Sequence, residues 1–327
     1  MRGELLGFRF ELRIERDQTS LHGFDIFFGF VCESKKCGGD SIDNVGQVFN
    51  LLVQTAEQVE NLPYGSTFRG MPNYTRMELM ICSAARWLED GAMVVVGTGA
   101  PCAAAMLAQK TTAPNLTLLF EAGGVGPLLP RMPISVGDSR TFYRGLMATS
   151  MADIMETCQR GMVDYTFLGG AQIDQFGNLN STQIGEDYQH PKVRLPGSGG
   201  ANDLGSLCWK ILVLTPHDRR RFVERCDFVT TPGYLTGPGA RESAGLPPGT
   251  GPYKVITDLA VLGFDDATKR MQVESLHPGI TLQEVRDRTG FELLVREPLE
   301  ATPAPEPATL EILRNEVDPL RYIIGRG

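Results

Sequence analysis

The feature that most constrains the fold of this chain is a strand–turn–helix–strand unit over residues 93–120. Residues 93–96 form a short apolar run typical of a buried strand, and the letters GTGAP then turn the chain into an alanine-rich helix over residues 103–109. A second apolar run over residues 116–120 completes a βαβ unit, whose crossover is right-handed almost without exception. The unit predicts a parallel sheet covered by helices.

The predicted fold class is α/β, an open and mostly parallel sheet with flanking helices and some antiparallel strands in the second half. Apolar periodicity predicts further helices over residues 77–89, 151–159, 282–289 and 309–317. Short apolar runs predict further strands over residues 165–168, 211–214, 228–230, 255–256, 261–264, 271–276 and 291–295. Thr281 and Glu284 form a capping box at the start of one of these helices.

Residues 1–70 do not follow this pattern. Apolar and polar residues alternate over residues 8–14 as in a strand, and apolar residues recur with helical spacing over residues 42–59. We interpret residues 1–70 as an N-terminal extension without a core of its own, and residues 71–327 as the main domain. One hypothesis is that Met71 is the true start of the protein. Peptides covering residues 12–69, found by mass spectrometry of protein from its native source, would exclude that start.

Composition excludes several classes of function. The chain of 327 residues has a net charge of −8, so it lacks the basic field that holds nucleic acid. No apolar run reaches the length of a membrane span, and the N-terminus lacks a signal-peptide pattern. The seven cysteines contain no CxxC pair, and the four histidines lack metal-ligand spacing. We therefore expect a cytoplasmic protein with reduced thiols, without a metal, and with neither nucleic acid nor membrane as partner.

Glu121 stands where a buried strand gives way to glycines, in the letters FEAGG. In open α/β sheets, ligands bind beyond the carboxyl ends of the strands, so this carboxylate lies where chemistry usually occurs. A strand-end glutamate can also cap a helix or pair with an arginine. The residues alone leave both interpretations open.

Two further glycine clusters could hold an anion. Gly97, Thr98 and Gly99 connect a strand to a helix, where free backbone N–H groups point outward; the alternative is a tight βα turn. The letters PGSGGAND contain Gly199 and Gly200, whose successive N–H groups could form a nest for an oxyanion or a phosphate; the alternative is a flexible loop. The serine in that cluster is not placed as in a nucleophile elbow.

Two other polar stretches each allow a purely structural interpretation and a functional one. The letters GGAQIDQFGNLN predict a turn over residues 174–177 between two strands. Their polar residues repeat at every second position, which predicts one side facing solvent or a ligand; these residues are Gln172, Asp174, Asn178 and Asn180. The letters HDRRR at residues 217–221 form a small basic patch, interpreted either as a solvated helix start or as a contact for a phosphate-rich ligand.

Five motifs in a fixed order resemble a known family. VGTGAP, FEAGGVGP, GGAQIDQFGNLNST, PGSGGAND and FVTTPG occur in the order found in the beta subunit of class I CoA-transferases, of the glutaconate CoA-transferase type. The resemblance covers roughly residues 72–319. This chain differs from many 3-oxoacid members of the family at the second motif: those members read Ser-Glu-Asn-Gly where this chain has FEAG.

The resemblance implies a CoA-transferase-like, or sugar-phosphate-isomerase-like, fold in a hetero-oligomer that shares its active site with an alpha subunit. It implies that Glu121 is the catalytic nucleophile and that Gly199 and Gly200 lie near the thioester carbonyl. The substrates would be an acyl-CoA and a carboxylic acid, without a further cofactor. The implied CoA- and substrate-binding residues are Gly97, Thr98, Gly99, Gly123, Gly124, Ala201 and Asn202.

Two alternatives remain at this point. A CoA-thioester hydrolase or ring-opening enzyme of the same fold, for example in steroid or aromatic breakdown, would pass the acyl group to water. A non-catalytic subunit would use the fold to sense a metabolite. Retention of Glu121 favours transfer, because related hydrolases and decarboxylases typically replace this glutamate.

Overall fold

The structure is a computed structural model that describes residues 74–325 and the backbone of three strands in the N-terminal part. The chain divides into two units, Met1–Val59 and Glu60–Gly327. In the first unit, β1 (Arg2–Leu5), β2 (Phe8–Arg16) and β3 (Phe24–Cys32) form an antiparallel sheet in the order β1-β2-β3. The strand predicted over residues 8–14 is confirmed by β2, and the helix predicted over residues 42–59 lies outside the described residues. The start at Met71 stays a prediction.

The second unit alternates helices and strands, as the sequence predicts. Its helices are α1 (Arg76–Ala85), α2 (Ala100–Lys110), a 3-10 turn (Ser139–Phe142), α3 (Met151–Gln159), α4 (Ala201–Leu207), α5 (Ala240–Ser243), α6 (Leu282–Asp287), α7 (Pro307–Ile312) and a π-helical turn (Leu313–Val317). Its strands are β4 (Met93–Val95), β5 (Thr117–Leu119), β6 (Gly124–Val125), β7 (Met147–Ala148), β8 (Tyr165–Leu168), β9 (Gln172–Ile173), β10 (Leu179–Asn180), β11 (Gln183–Ile184), β12 (Val193–Arg194), β13 (Lys210–Leu214), β14 (Gly251–Ile256), β15 (Ala260–Phe264), β16 (Met271–Leu276) and β17 (Leu294–Ala301).

A single sheet of ten strands organises this unit, in the order β17-β16-β15-β14-β13-β8-β4-β5-β6-β7. The five strands from β14 to β5 run parallel to one another. Antiparallel pairs flank them, through β15 on one side and β6 on the other. The predicted α/β class with a mostly parallel sheet is confirmed. The carboxyl ends of β4, β5 and β8 consequently lie at one edge, where the turns after these strands come together.

One predicted strand is wrong. Residues 228–230 do not join the sheet; instead the N–H groups of Thr230 and Thr231 both donate to the carbonyl oxygen of Leu179, at 2.9 and 3.0 Å. This places the segment beside β10 as an isolated bridge. An apolar and β-branched run is as typical of a strand in the ten-stranded sheet as of a segment bridged to β10. The residue types therefore could not distinguish these two positions.

The C-terminal segment forms ion pairs with the first two helices of the unit. Thr75 and Glu78 form a capping box that begins α1. Glu78 is buried and also accepts from Arg314 at 2.9 Å, while Lys110 at the end of α2 pairs with Glu316 at 2.8 Å. These contacts fix the C-terminal segment to the two helices α1 and α2.

Candidate active site

Glu121 lies just beyond the carboxyl end of β5, in a tight turn. Phe120 is fully buried, and its N–H donates to the carbonyl oxygen of Gly124 at 2.9 Å. The N–H of Gly123 donates back to the carbonyl oxygen of Phe120 at 2.8 Å. The side chain of Glu121 is half-buried at this turn. Within residues 74–325 it pairs with no arginine and caps no helix, so neither structural alternative explains this carboxylate.

The two glycines after Glu121 are required by the packing of the chain against itself. A Cβ on Gly123, which has φ +112°, would lie 1.9 Å from the carbonyl oxygen of Thr149. A Cβ on Gly124 would lie 2.0 Å from the carbonyl oxygen of Thr141. Because both neighbours are backbone atoms, a side chain at either position would force the turn open. Their Cα atoms therefore face this chain and not an open cleft.

The glycines of the PGSGGAND motif lie close to Glu121. A Cβ on Gly200 would lie 2.8 Å from Oε1 of Glu121 and 2.7 Å from the methyl carbon of Met155. Gly200 is thus in contact with the carboxylate, and only a glycine leaves that space free. Among the described residues, no atom lies within 4 Å of a Cβ position on Gly199, which has φ +49°, or on Gly197, which has φ +98°. The structure brings together the two motifs that the resemblance associates with the thioester.

Gly200 is also the N-cap residue of α4. The N–H of Leu204 donates to the carbonyl oxygen of Gly200, and the N–H of Ala201 donates to that of Ser198, both at 2.9 Å. In the described part of the chain, no hydrogen bond uses the N–H of Gly199 or Gly200 as donor. These two amides therefore have no acceptor among the described residues, whereas the amide of Ala201 is already engaged. Asn202 follows on the exposed side of α4.

The glycine turn at residues 97–99 lies at the neighbouring strand end. Gly97, Thr98 and Gly99 are half-buried and connect β4 to α2, with Gly99 at the N-cap and φ +78°. The C-terminal segment approaches this turn, because Cδ1 of Ile323 lies 3.8 Å from a Cβ position on Gly99. As β4 and β5 are adjacent parallel strands, this turn and Glu121 share one edge of the sheet.

A buried arginine outside all five sequence motifs holds α4 in place. Arg241 on α5 is 1% exposed, and its guanidinium donates to the carbonyl oxygens of Gly205 at 3.1 Å, Pro232 at 2.7 Å and Gly233 at 2.9 Å. Burial lowers the pKa of Arg241. The carbonyl group of Gly205 lies toward the C-terminal end of α4, which favours a cation. A single arginine in the letters PGARES, at residues 238–243, gives no sequence signal for this role.

The prediction that the polar hairpin faces solvent or a ligand is wrong. Gln172, Asp174, Asn178 and Asn180 are all at most 6% exposed. Their amide and carboxylate groups satisfy one another: Asn180 donates to Gln172 at 2.7 Å, and Asn178 donates to Asp174 at 2.9 Å. Burial raises the pKa of Asp174. Alternating polar residues fit a buried hydrogen-bonded network as well as a wetted face, and the sequence pattern does not distinguish the two.

The basic patch at residues 217–221 is a turn, so the predicted helix start is wrong. Arg220 is exposed, whereas Arg221 pairs with Asp218 at 3.2 Å and donates to the carbonyl oxygen of Gly170 at 3.0 Å. His217 lies in the core and is 2% exposed. Its ring stacks on that of Phe222, with 3.9 Å between the ring centroids. It therefore does not contribute to a surface patch.

Burial keeps two histidines neutral. Loss of water lowers the pKa of His217 to about 3 and that of His277 to about 4, and nearby arginines act in the same direction. Threonine hydroxyls contact the rings: Thr289 lies 3.0 Å from Nε2 of His217, and Thr302 lies 2.9 Å from Nδ1 of His277. Both rings belong to the framework.

Neither a metal cluster nor a membrane-spanning helix is found among the described residues. No three of their His, Cys, Asp and Glu side chains are grouped so as to hold a metal ion. Their helices are all too short or too polar to cross a membrane.

Comparison with known proteins agrees with this geometry. The family described as Coenzyme A transferase matches residues 77–288. The beta (B) subunit of glutaconate CoA-transferase from Acidaminococcus fermentans is 39% identical over 252 residues, which are 76% of this chain and 94% of that protein. The crystal structure of that enzyme superposes with a TM-score of 0.74, covering 78% of this chain and 99% of the other.

Two further relatives extend the comparison. The beta (B) subunit of 3-oxoadipate CoA-transferase from Pseudomonas knackmussii is 38% identical over 75% of this chain and 94% of that protein. The IpdB subunit of the cholesterol ring-cleaving hydrolase from Mycobacterium tuberculosis is 28% identical, over 75% of this chain and 95% of that protein. The resemblance carried by the five motifs is confirmed: the chain belongs to the coenzyme A transferase family, in which it corresponds to the beta subunit.

Proposed function

We propose that Glu121 is the nucleophile of a CoA-transferase that moves CoA from an acyl-CoA to an acceptor carboxylic acid. The observation that carries the proposal is the contact between the Glu121 carboxylate and Gly200 at the start of α4. The half-buried carboxylate adjoins Gly200, and the N–H groups of Gly199 and Gly200 have no acceptor in the described part of the chain. A carboxylate and nearby N–H donors are the two components that acyl transfer through an oxyanion requires.

The reaction proceeds through covalent intermediates. An oxygen of Glu121 attacks the thioester carbonyl carbon, the C–S bond breaks, and CoA leaves as a thiolate with the electron pair. The thiolate then attacks the side-chain carbonyl carbon of Glu121 in the mixed anhydride, and the first acid leaves as a carboxylate. The acceptor carboxylate reverses both steps. Covalent relay divides one difficult transfer into easier ones.

The amides of Gly199 and Gly200 stabilise the oxyanion formed in each step. Such a donor is worth roughly 3 kcal/mol in the transition state. Gly97, Thr98 and Asn202 border the same edge and contact CoA or substrate. Gly99, Gly123, Gly124 and Ala201 shape the turns through their backbone. No further cofactor enters this chemistry.

We assign dicarboxylic acids as the substrate class. Two relatives near 40% identity are named for glutaconate and 3-oxoadipate, both dicarboxylates.

The active enzyme is a hetero-oligomer that contains an alpha subunit, since the relatives are themselves single subunits of multi-subunit enzymes. The described cysteines are buried free thiols, in keeping with a cytoplasmic enzyme. We expect the chain alone to be inactive and the co-expressed complex to be active. These relatives argue against a non-catalytic sensor.

The hydrolase alternative rests on the more distant 28% identical relative. In a hydrolase, water takes the acyl group, and free CoA accumulates at the same rate with or without an acceptor acid. In a transferase, product acyl-CoA appears only with the acceptor.

A donor panel tests the proposal. The co-expressed complex is mixed with glutaconyl-CoA, 3-oxoadipyl-CoA or succinyl-CoA, and acetyl-CoA formed from acetate is measured by chromatography. We expect Glu121→Ala to lower transfer by about 1,000-fold. Glu311→Ala, an exposed glutamate on α7, is the matched control and should leave transfer unchanged. Acetyl-CoA formation that survives Glu121→Ala would overturn the assignment.

A further inference from the structure

Met155 is an apolar side chain that lies near the Glu121 carboxylate, on the other side of Gly200's Cβ position. Its methyl carbon and Oε1 of Glu121 lie within 2.7 and 2.8 Å of the same point, the Cβ position of Gly200. The two groups are therefore neighbours across the space that Gly200 leaves open. Met155 comes from α3, far from both other residues in sequence.

The position of Met155 is fixed by its helix. A capping box between Ser150 and Asp153 begins α3. Ile154 and Cys158 on the same helix are 0% exposed and belong to a core cluster, against which the partly buried Met155 side chain packs. The methyl group is thus held by the framework and is not a mobile surface side chain.

An apolar neighbour matters to this chemistry because the enzyme intermediates are activated esters of Glu121. Water that reached the mixed anhydride or the glutamyl thioester would hydrolyse it and end the transfer. A methionine methyl group accepts no proton and cannot orient a water molecule for attack. The Met155 methyl group thus presents an apolar surface near the carboxylate.

We propose that Met155 is a positioning residue that shields the acyl and CoA intermediates on Glu121 from water and so favours transfer over hydrolysis. This inference rests on the proposed covalent role of Glu121. A single side chain would then influence whether the intermediate on Glu121 passes to an acceptor acid or to water.

Two substitutions of matched size test the shield. Met155→Gln keeps the length of the side chain but adds an amide that can bind water, whereas Met155→Leu remains apolar. The co-expressed complexes are supplied with glutaconyl-CoA and acetate, and both free CoA and acetyl-CoA are measured. We expect Met155→Gln to raise the ratio of hydrolysis to transfer by about tenfold, and Met155→Leu to leave it near the wild-type value.

The control is Met162→Gln, the same change at an exposed methionine just beyond α3. A purely structural role for Met155 would lower both rates together and leave their ratio unchanged, and that result would overturn the proposal. If Met155→Gln does not assemble, the smaller Met155→Thr is interpreted in the same way. Failure of the proposed function is a separate result: the wild-type complex would then form no acetyl-CoA from any donor in the panel.

Discussion

The two glycine-rich turns that meet at Glu121 differ in what surrounds their Cα atoms. Gly123 and Gly124 face backbone carbonyl groups of their own chain, at distances that exclude any side chain. No described residue lies near the Cβ position of Gly199, and Gly200 faces the Glu121 carboxylate. One turn is glycine-rich because the fold requires it, and the other because the site requires it. The comparison predicts that equal substitutions in the two turns will have different consequences.

The largest effect is expected in the first turn. Gly124→Ala would place a Cβ 2.0 Å from the carbonyl oxygen of Thr141, so the backbone must move. We expect a loss of about 4 kcal/mol or more in the free energy of unfolding, measured by urea unfolding or seen as loss of soluble protein. Gly91→Ala is the control, because Gly91 has φ +80° but open space around it. A cost of only about 1 kcal/mol for both variants would show that the first turn does not require glycine at position 124.

A substitution at Gly200, in the second turn, should lower the activity of the enzyme and leave the stability of the protein nearly unchanged. Gly200 has φ −79°, which alanine adopts freely, and the atoms in the way are the ends of the Glu121 and Met155 side chains. We expect Gly200→Ala to lower kcat by about 100-fold through displacement of the carboxylate, with less than about 1 kcal/mol of destabilisation. The control is Gly137→Ala, on an exposed loop.

Wild-type kcat in folded Gly200→Ala would show that the carboxylate does not need its observed position. Unfolding of that variant would show that both turns serve the framework.

Acid should weaken the framework that both turns share. His217 has a pKa of about 3 in the folded protein against about 6.5 when unfolded, so between these values the unfolded state binds the extra proton. Stability therefore falls as the pH drops below about 6.5. At pH 5.5 we expect His217 to contribute about 1.4 kcal/mol to this loss relative to pH 7.5.

Urea unfolding at the two pH values measures the acid effect. His217→Asn should show a smaller difference between pH 5.5 and pH 7.5, whatever its stability at pH 7.5. If His217→Asn showed the same difference in unfolding free energy between the two pH values as the wild type, that result would contradict a neutral, buried His217 ring. Gly200→Ala should show the same pH difference as the wild type, since its effect is confined to the site.

The smallest effect is expected at Gly199. Its φ of +49° is in the left-handed region, with open space around the Cβ position. Gly199→Ala should cost about 1 kcal/mol in the free energy of unfolding, and Gly199→Asn less, because asparagine tolerates this conformation. Thermal unfolding of the two variants checks the order, and a larger cost for asparagine would contradict the open space around this residue.

Much of the framework follows from local pattern. Short apolar runs joined by glycine turns predicted the βαβ unit and located Glu121 at a strand end, because neighbouring residues determine both. The capping box of Thr281 and Glu284 was likewise confirmed. These features depend on residues within one or two turns of each other.

The remaining features depend on contacts between distant segments. The role of Met155 arises from a meeting of α3, α4 and the β5 turn, which no local pattern records. The prediction for the polar hairpin failed for a related reason, since Gln172 and Asn180 find their partners inside the protein. The distinction between the two glycine turns required the positions of Thr141 and Thr149, which approach only in the folded chain.

The most direct test of the central claim is chemical trapping of Glu121. The co-expressed complex is incubated with glutaconyl-CoA, treated with borohydride or hydroxylamine, and digested for mass spectrometry. We expect a modification at Glu121 that requires acyl-CoA, as for a covalent glutamyl thioester. An unmodified Glu121 together with free CoA released into water would contradict it, and would direct the search for the reactive group to the alpha subunit.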